Sequence, residues 1–529
     1  MGEVNIGPAA RSQQLAQLES QTWDLVVIGG GITGAGVAQQ AARRGWKVLL
    51  VEQRDFAWGT SSRSSKLVHG GLRYLKEGDI KTTLHSVWER ERLMREAPEL
   101  VQPQSFLFAD CKGRKPGRWL MQTGLMVYDL MAGNHQAGGG HFYANLARTR
   151  TLEPGLNPPA LRGALVFTDA KTDDARLVQR VLLEAQGDGA LCLNYVAAEA
   201  LELEHGQVSG LALRDAVQGG RYRVRARTVV NATGAWADRL RADLGAKPLL
   251  RPLRGSHLLI PHERLPVQHS ISMMHVKDGR PVFLYPWEGC TLIGTTDLDH
   301  RGDLNVEASI TNAEVDYLLD AVNDQFPQAH IGRDDIISTY AGVRPVVDDG
   351  QADASKATRD HVVMDERGLI TLTGGKLTTF RLMAQDAMAL AAPHVGKAFA
   401  RDKGVLFTAS THRPTWSPAV RQRLAARYGS RANAWAASVA PQELEFIPGT
   451  HTLWAELGIA AQWESVVHLD DLLLRRTRLG LLLPLGGLDH VERIRALAEP
   501  FLQWGDDGWC AELARYQTLI AKHYALPAH

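Results

Sequence analysis

Six residues near the start of the chain have the spacing of a dinucleotide-binding turn. The sequence GGGITG runs from Gly29 to Gly34, between the apolar run Asp24–Ile28 and an alanine-rich stretch. Gly29 permits a tight turn, Gly31 lets the backbone approach a pyrophosphate, and Gly34 lets a helix pack on the strand. The amino terminus of that helix offers N–H groups and a partial positive charge to phosphates.

A second apolar strand, Lys47–Val51, closes at Glu52. The Glu52 carboxylate can accept hydrogen bonds from both hydroxyls of a ribose, and its charge would repel a 2′-phosphate. The order of strand, glycine turn, helix, strand and acid therefore predicts a dinucleotide site and disfavours NADP. By itself this order does not separate FAD from NAD, although its place at the start of the chain is typical of flavoproteins.

A loop rich in hydroxyl groups follows, with the sequence TSSRSSKLVHGGLRYL from Thr60 to Leu75. Its hydroxyls and backbone N–H groups could hold a pyrophosphate or the edge of a flavin. A solvated serine-rich loop would explain the serines, but not His69, Arg73 and Tyr74 beside a pair of glycines. The planar fork of an arginine suits a phosphate or a carboxylate.

Later segments could return to the same cofactor. The sequence RTVVNATGAW from Arg227 to Trp236 is typical of an apolar strand that ends in Ala-Thr-Gly. GVRP follows at 342–345 and GGKLTT at 374–379, directly before an apolar stretch with helical spacing. A glycine turn at a helix amino terminus suits the electron-rich end of a reduced flavin.

Composition excludes several classes of protein. The 529 residues are 45% hydrophobic and 22% charged, as in an ordinary globular protein, which excludes disorder for most of the chain. Lys+Arg (59) and Asp+Glu (58) nearly cancel, so the net charge gives no indication of nucleic-acid binding.

The four cysteines form no CxxC pair, so we expect no metal site and no disulfide framework, and the thiols fit a reducing cytoplasm. We also expect neither a signal peptide nor a transmembrane helix.

Taken together, motifs in one order resemble the FAD-dependent, respiratory glycerol-3-phosphate dehydrogenases, within the glycine/D-amino-acid-oxidase-like flavoproteins. The motifs are GGGITGAG, TSSRSSKLVHGGLRYL, DDARLV, NATGAW, GSHLLI, LIGTTD, GVRP, TRDH and GGKLTT. The resemblance is strong over about residues 24–392. The remainder, to residue 529, resembles the helical C-terminal domain of the family only loosely.

The resemblance and the strand pattern predict an α/β fold, α+β overall. It would combine a Rossmann-like FAD-binding domain, an interleaved antiparallel-sheet substrate domain and a helical C-terminal domain. The predicted boundaries are 1–21 for an N-terminal extension, 22–400 for the discontinuous FAD-binding domain (about 22–95, 165–250 and 335–395) with its interleaved substrate domain (about 96–164 and 251–334), and 405–529 for the helical domain. Residues 223–230 and 289–296 are expected to be strands, and 311–326 an amphipathic helix. The basic cluster Arg475–Arg478 is expected on the solvated face of a buried helix.

The resemblance implies FAD as the cofactor and indicates which residues surround it. Val196 would contact the adenine through its backbone. The expected FAD-binding residues are Gly29, Gly31, Gly34, Glu52, Thr60, Ser61, Ser65, Leu67, Val196, Ala232, Gly234, Leu377 and Thr378.

The implied reaction is oxidation of sn-glycerol 3-phosphate to dihydroxyacetone phosphate, with hydride transfer from C2 to flavin N5. A phosphate dianion without a metal needs cations, and the resemblance indicates Arg73 and Lys376, with a hydroxyl from Tyr74. It also indicates Thr295 as a hydrogen-bond partner of the substrate. Strand alternation allows only one of Thr295 and Thr296 to face the pocket. Arg359 is a weaker site candidate.

Two residues are expected to act on the C2 hydroxyl. Arg344 cannot be an ordinary base, because arginine is not deprotonated in proteins, but it can stabilise the developing alkoxide. His257 is the preferred base, because imidazole titrates near neutral pH and a strand of the substrate domain would carry it. His69 is the second candidate for a substrate-binding or basic role. A water or hydroxide held by arginine is a third alternative.

The resemblance also implies that electrons pass to membrane quinone and that the protein attaches peripherally to the inner face of the cytoplasmic membrane. A homodimer is left open. A glycerol-3-phosphate oxidase would share the half-reaction but reduce O2 to peroxide. An amine or amino-acid oxidase would need a carboxylate clamp, which HGGLRYL with GGKLTT disfavours. A non-enzymatic flavin-binding scaffold would hold FAD that no polyol phosphate reduces.

Overall fold

The structure of the protein is a computed structural model that describes residues 10–72, 75, 78–133, 139–348, 350, 361–402, 404–409, 416–437 and 439–528. Its strands are β1 (Thr22–Trp23), β2 (Leu25–Ile28), β3 (Val48–Val51), β4 (Leu67–Val68), β5 (Gln102–Cys111), β6 (Phe142–Asn145), β7 (Leu161–Lys171), β8 (Leu191–Leu193), β9 (Val196–Glu204), β10 (Gln207–Asp215), β11 (Arg221–Ala226), β12 (Val229–Asn231), β13 (Leu250–Pro261), β14 (Ser270–Met274), β15 (Pro281–Trp287), β16 (Cys290–Gly294), β17 (Leu298–Asp299), β18 (Ser338–Val347), β19 (His361–Glu366) and β20 (Leu369–Gly374). Its α-helices are α1 (Arg11–Ala16), α2 (Ile32–Ala42), α3 (Ile80–Glu96), α4 (Arg118–Ala132), α5 (Leu146–Leu152), α6 (Asp174–Gly187), α7 (Ala237–Ala242), α8 (Asn312–Gln325), α9 (Phe380–Val395), α10 (Pro418–Tyr428), α11 (Ala432–Trp435), α12 (Ala455–Trp463), α13 (Leu479–Leu482), α14 (Val491–Leu502) and α15 (Gly505–His523).

A six-stranded sheet forms the core around the glycine turn, in the order β19-β20-β12-β2-β3-β8. Five of these strands are parallel, and β19 is the antiparallel edge. The sequences LVVI of β2 and VLLV of β3 are buried throughout, as expected for parallel strands covered on both faces. Helix α2 packs against α6 and α9. In such a sheet, ligands bind beyond the carboxyl ends of the strands.

A second sheet of ten strands is mostly antiparallel. Its main path is β17-β13-β16-β15-β14-β5-β7-β4, and β18 and β6 pair with β13 and β7. Strand β13 lies between β16 and β18, which aligns His257 with Gly294 on one side and Tyr340 on the other. The predicted amphipathic helix is confirmed as α8, which begins with a capping box between Thr311 and Glu314.

A small sheet with the order β1-β11-β10-β9 lies near the start of the described chain. The expected strand over residues 223–230 is in fact two strands, because β11 joins this small sheet whereas β12 joins the parallel core. The buried Arg11 side chain pairs with Asp215 on β10, which ties α1 to the same sheet. The first nine residues lie outside the described part, and the domain boundaries stay a prediction.

The basic cluster of the C-terminal region differs from its prediction. Arg475, Arg476 and Arg478 are buried rather than solvated. Carboxylates pair with them: Asp55, Asp173 and Asp174 come from distant segments, and Asp470 and Asp471 from the preceding turn of the chain. The sequence pattern places charges on one helix face, but it does not show which distant residues cover that face.

The described helices include none that is long and apolar enough to cross a bilayer. Across the same ranges, the side chains of His, Cys, Asp and Glu form no group able to hold a metal ion. All four cysteines are free; Cys111, Cys192 and Cys290 are buried, and Cys510 is exposed.

Replacing Asp55 by asparagine should destabilise the fold strongly. The fully buried Asp55 carboxylate accepts hydrogen bonds from both Arg475 and Arg476, the latter at 2.7 Å. Removing its charge leaves buried guanidinium groups short of a counter-charge, which costs about 3–5 kcal/mol. Urea denaturation would measure the free energy of unfolding. Asp506→Asn, which removes an exposed partner of Arg495, should leave it unchanged, and an equal loss in both variants would contradict the expectation.

Candidate active site

The turn from Gly29 to Gly34 connects β2 to α2 and needs glycine at two positions. Gly29 has φ +113°, and a Cβ there would lie 2.5 Å from the carbonyl oxygen of Ala232. A Cβ on Gly34 would lie 1.9 Å from the carbonyl oxygen of Gly29. Helix α2 begins at Ile32, and Gly31 before it provides no side-chain cap. N–H groups at the start of the helix are therefore available to a phosphate.

Glu52 lies beside this turn. Its Oε2 accepts a hydrogen bond from the Gly30 N–H at 2.7 Å, and its Oε1 accepts one from the Arg54 N–H at 2.9 Å. Burial raises the pKa of Glu52, whereas these two N–H groups favour the ionised form. Each oxygen keeps a lone pair for a ribose hydroxyl. The Val196 N–H donates to the Glu52 carbonyl at 2.8 Å, which puts Val196 next to Glu52.

The segment NATGAW returns to the same turn. The Ala232 N–H donates to the Ile28 carbonyl at 2.9 Å, so the end of β12 lies beside the end of β2. Gly234 has φ +60°, and its carbonyl accepts the Thr373 hydroxyl at 3.3 Å. The carboxyl ends of three neighbouring strands therefore meet at the glycine turn.

The hydroxyl-rich loop joins the turn to the rest of the site. The Ser61 hydroxyl accepts the Ile32 N–H at 3.0 Å, and the Thr60 hydroxyl donates to the Val343 carbonyl on β18. The Ser65 hydroxyl lies 2.9 Å from Nε2 of His257. Leu67 is buried in β4.

The second glycine turn reaches the end of this loop. The Thr378 hydroxyl donates to the His69 carbonyl at 3.3 Å. Leu377 and Thr378 lie in a 3₁₀ turn that leads into α9. The two glycine-bearing segments are thereby in direct contact.

His257 is a fully buried, neutral imidazole. Its ring stacks on Tyr340, with centroids 4.5 Å apart and planes 12° apart. Gly294 makes room for it, since a Cβ there would lie 2.1 Å from His257 Cδ2. Burial, and then the charges of Arg344 and Lys66, lower the pKa of His257 well below its ordinary value of 6.5. Nδ1 has no hydrogen-bond partner among the described residues, so this nitrogen is available to exchange a proton with a bound molecule.

Arg344 is oriented by the short segment between β16 and β17, which carries Thr295 and Asp297. Its Nη2 donates to the Thr295 hydroxyl at 3.0 Å, and its Nη1 lies 3.1 Å from Asp297 Oδ1. The Thr296 hydroxyl points the other way and donates to Glu314 at 2.7 Å. Of the two threonines, Thr295 is therefore the one beside Arg344.

Sequence reasoning missed two residues that shape this pair. Gly255 makes the approach of Arg344 and Thr295 feasible, because a Cβ there would lie 2.3 Å from Arg344 Nη2 and 2.6 Å from Thr295 Oγ1. Asp297 is the acid of the GTTD sequence, and its position two residues after Thr295 on an extended segment was the available signal.

The predicted phosphate clamp is described only in part. Lys376 donates from Nζ to the Ser86 hydroxyl on α3, at 3.4 Å. Arg73, Tyr74 and the weaker candidate Arg359 lie outside the described residues. The grouping seen among the described residues is therefore Arg344 with Thr295, and His257 with Ser65.

These residues fit a flavin dinucleotide. Three features suit a pyrophosphate and a ribose, and we call them the cofactor cradle: the start of α2, where Gly31 provides no side-chain cap, the two glycines whose Cβ would strike backbone, and the Glu52 carboxylate. Further contacts connect these features to the large sheet: Ser61 contacts the start of α2, Ser65 contacts His257, and Thr378 of the turn at 374–379 contacts His69.

Gly34→Ala should abolish cofactor binding, because the new methyl group would collide with the backbone at Gly29. Gly124→Ala on α4 is the matched control, because its Cβ would meet only a side-chain carbon of Leu72 at 3.9 Å. The measurement is flavin absorbance per polypeptide after purification. Flavin content equal to wild type in Gly34→Ala would refute the assignment of this turn.

Comparisons with known proteins agree with this geometry. A family model described as FAD dependent oxidoreductase matches residues 24–381, and one described as C-terminal domain of alpha-glycerophosphate oxidase matches 370–508. The curated aerobic glycerol-3-phosphate dehydrogenase of Staphylococcus aureus (strain USA300) is 38% identical over 399 residues, which are 74% of this chain and 70% of that protein.

Two solved structures show the same architecture. The glycerol-3-phosphate dehydrogenase from Bacillus halodurans, complexed with FAD, has a TM-score of 0.73 and 26% identity, and the match covers 97% of each chain. The L-alpha-glycerophosphate oxidase from Mycoplasma pneumoniae, with FAD bound, has a TM-score of 0.56 and 18% identity, over 73% of this chain and 97% of that one. The predicted fold class and the FAD cofactor are confirmed. The chain belongs to the FAD-dependent oxidoreductase family, in the group that includes the aerobic glycerol-3-phosphate dehydrogenases.

Proposed function

We propose that this enzyme oxidises sn-glycerol 3-phosphate to dihydroxyacetone phosphate and passes the electrons to a membrane quinone. The observation that carries the proposal is the grouping of Arg344 on β18, His257 on β13 and Thr295 directly after β16. The Ser61–Ser65 loop connects them to the cofactor turn. The names of the related enzymes support the choice of substrate.

The protein has three tasks in this reaction: to bind the phosphate, to take the hydroxyl proton and to stabilise the oxygen that loses it. Bound FAD supplies the hydride acceptor. Arg344, fixed by Thr295 and Asp297, donates hydrogen bonds to the oxygen on C2 as negative charge develops there. Lys376, with Arg73 and Tyr74, holds the phosphate.

His257 is our choice for the base. Ser65 and Tyr340 fix the orientation of the ring, and its Nδ1 has no partner among the described residues, so it can accept the C2 hydroxyl proton. Its lowered pKa means that it would hold that proton only weakly. His69 is the alternative, because its carbonyl contact with Thr378 puts it at the junction of the two glycine-bearing segments.

Anaerobic titration of the purified protein with sn-glycerol 3-phosphate tests the substrate. Flavin absorbance should bleach at near-stoichiometric substrate. Lys376→Met should raise the substrate concentration needed by on the order of 10-fold or more, because a desolvated phosphate loses one of its cations. Lys277→Met, which alters an exposed lysine paired with Asp320, should titrate like wild type.

Absence of bleaching in a FAD-containing protein would refute the substrate assignment, and titration with amino acids would then test the amine-oxidase alternative. Wild-type titration by Lys376→Met would refute the clamp but leave the substrate standing.

The identity of the electron acceptor distinguishes the proposed dehydrogenase from an oxidase that reduces O2.

One surface of the protein favours an acceptor in the membrane. It consists of the exposed residues of α4 together with Ile80 and Trp88 of α3, and we name it the α3–α4 face. The exposed residues of α4 are Trp119, Leu120, Thr123, Met126, Val127 and Leu130. None is charged, and Trp119 and Leu130 are 74% and 80% exposed. A helix face in water normally carries charges, so an uncharged one indicates a binding surface.

The loop before α4 supplies the charge for such a surface. It contains Lys112, Arg114 and Lys115, and Arg118 follows as the first residue of α4, although Arg114 is paired with Asp324. Basic residues beside an apolar helix face favour an anionic lipid surface. We therefore propose peripheral attachment at the inner face of the cell membrane, where quinone is dissolved. A homodimer stays a prediction.

A Trp119→Asp, Leu130→Asp double variant should lose binding to phosphatidylglycerol-containing vesicles while its flavin is still reduced by substrate. Both side chains are exposed, so neither change should disturb the core. Leu203→Asp, an equivalent change at an exposed leucine of β9, should bind vesicles like wild type. Cosedimentation with the vesicles measures this. Binding by the double variant would refute the proposed surface.

A second readout separates the acceptors. Electron transfer from reduced enzyme to a quinone in the vesicles is expected. Rapid reoxidation by air with stoichiometric peroxide would support the oxidase instead.

A further inference from the structure

One arginine of the C-terminal region reaches the loop that joins the cofactor turn to His257. Arg478 is 1% exposed, although it lies outside the FAD dependent oxidoreductase match. Its Nε donates to Asp173 at 2.9 Å and its Nη2 to Asp174, both at the start of α6. Its Nη1 donates to the Ser62 carbonyl at 3.3 Å. A single guanidinium therefore contacts α6 and the loop at the same time.

Asp174 extends this contact along the loop. Its Oδ2 accepts hydrogen bonds from the Ser64 N–H at 2.9 Å and the Ser64 hydroxyl at 2.7 Å. Its Oδ1, which also binds Arg478, accepts one from Nζ of Lys66 at 3.0 Å. Lys66 in turn donates to the Ser62 carbonyl at 2.9 Å. Buried charged side chains therefore hold both ends of the segment from Ser62 to Lys66, and we call this set of contacts the charge ring.

Alternating charges hold the charge ring together. Asp174 lies between two cations, Arg478 and Lys66, and all three side chains are buried. Burial and the nearby charge of Arg478 lower the pKa of Lys66 to about 8. An aromatic residue also contacts the loop. Tyr340 donates its hydroxyl to the Ser64 carbonyl at 2.8 Å, and its ring centre lies 4.7 Å from Lys66 Nζ.

The loop has a contact with each half of the site. Ser61 binds the first N–H of the cofactor helix, and Ser65 binds Nε2 of His257. Tyr340, which holds the loop at Ser64, is also the ring on which His257 stacks. A displacement of the loop would therefore move the cofactor cradle and the imidazole together.

We propose that Arg478 is a positioning residue: through Asp174 and the Ser62 carbonyl it fixes the Ser61–Ser65 loop, and with it the cofactor cradle and the orientation of His257. Arg478 acts through other residues. The C-terminal region is by this route part of the active site. The inference rests on the proposed roles of Ser61, Ser65 and His257.

The test compares Arg478→Lys with Arg423→Lys in the full-length holoenzyme. Lysine keeps the charge but cannot reach Asp173, Asp174 and a carbonyl from one planar group. Arg423 is also a C-terminal arginine, 9% exposed, with two carboxylate partners, Glu288 and Glu456, and these partners lie outside the Ser61–Ser65 loop. Glu456 also binds Arg427, which pairs with Asp173, so Arg423 belongs to the same buried charge network, although none of its described ion pairs reaches the loop itself. It therefore controls for the loss of any buried arginine.

Arg478→Lys should release FAD with a Kd raised on the order of 10-fold and shift the absorption band of the bound flavin. Its kcat should fall on the order of 10- to 100-fold with KM changed less than about 3-fold, since misplacement by an ångström has effects of this size. Arg423→Lys should match wild type in all three. Equal effects in the two variants would overturn the proposal, because a merely structural role predicts them.

Ser64→Ala keeps the proposal testable should Arg478→Lys not fold. It removes the hydroxyl contact between the loop and Asp174 while leaving the buried charges paired, and it should shift the flavin band and lower kcat in the same direction. An unchanged spectrum and kcat would overturn the proposal. The FAD affinity and spectrum do not depend on which substrate is oxidised, so failure of the proposed function would not be mistaken for failure of this inference.

Discussion

The buried ion pairs between C-terminal arginines and carboxylates of the cofactor region are the interactions on which the rest of this structure depends. Charges are costly to remove from water, and they are tolerated in the interior only when their partners are in place. Arg475 and Arg476 meet Asp55, and Arg478 meets Asp173 and Asp174. These pairs join parts of the chain that are separated by 304 to 421 residues. The helical region is thereby fixed to the cofactor region in one arrangement.

Four glycines of the active site leave space for neighbouring groups that a side chain at the same position would strike. At Gly29 and Gly34 a side chain would strike the backbone of the turn, and at Gly294 it would strike the ring of His257. At Gly255 it would strike the pair formed by Arg344 and Thr295. The first two glycines admit the close approach of neighbouring backbone, whereas the other two admit polar side chains. Close packing of this kind leaves no room for a side chain to drift, which suits a site that must orient a hydride donor.

Helix α3 connects the proposed phosphate site to the exposed α3–α4 face. Helix α3 carries Ser86, which binds Lys376, and it carries Ile80 and Trp88 on its exposed side. Helix α3, which contacts Lys376 of the proposed phosphate site, therefore also presents Ile80 and Trp88 to solvent. In the proposed function, α3 would lie between the phosphate site and the lipid that holds the acceptor.

The sequence by itself determined the cofactor turn, the α/β class and the family. The turn is a local unit in which strand, glycines and helix follow one another, so their spacing specifies the geometry. Motif order was enough for the family. The choice of Thr295 over Thr296 as the substrate partner stays a prediction, and in the structure Thr295 contacts Arg344 whereas Thr296 contacts Glu314. Helix α8 was predicted almost to the residue, because its capping signal and its apolar period are both local.

Only the tertiary structure decided which partners the charged residues have. The arginines at 475–478 were expected in solvent because local pattern shows a charged face but not what covers it. Three of their partners, Asp55, Asp173 and Asp174, lie hundreds of residues away, and neither spacing nor composition shows that these residues meet. The same holds for Asp297 beside Arg344, for Tyr340 beneath His257 and for the split between β11 and β12. Each depends on how strands pair across the sheets, and pairing between distant segments is settled by packing rather than by any local pattern of residues.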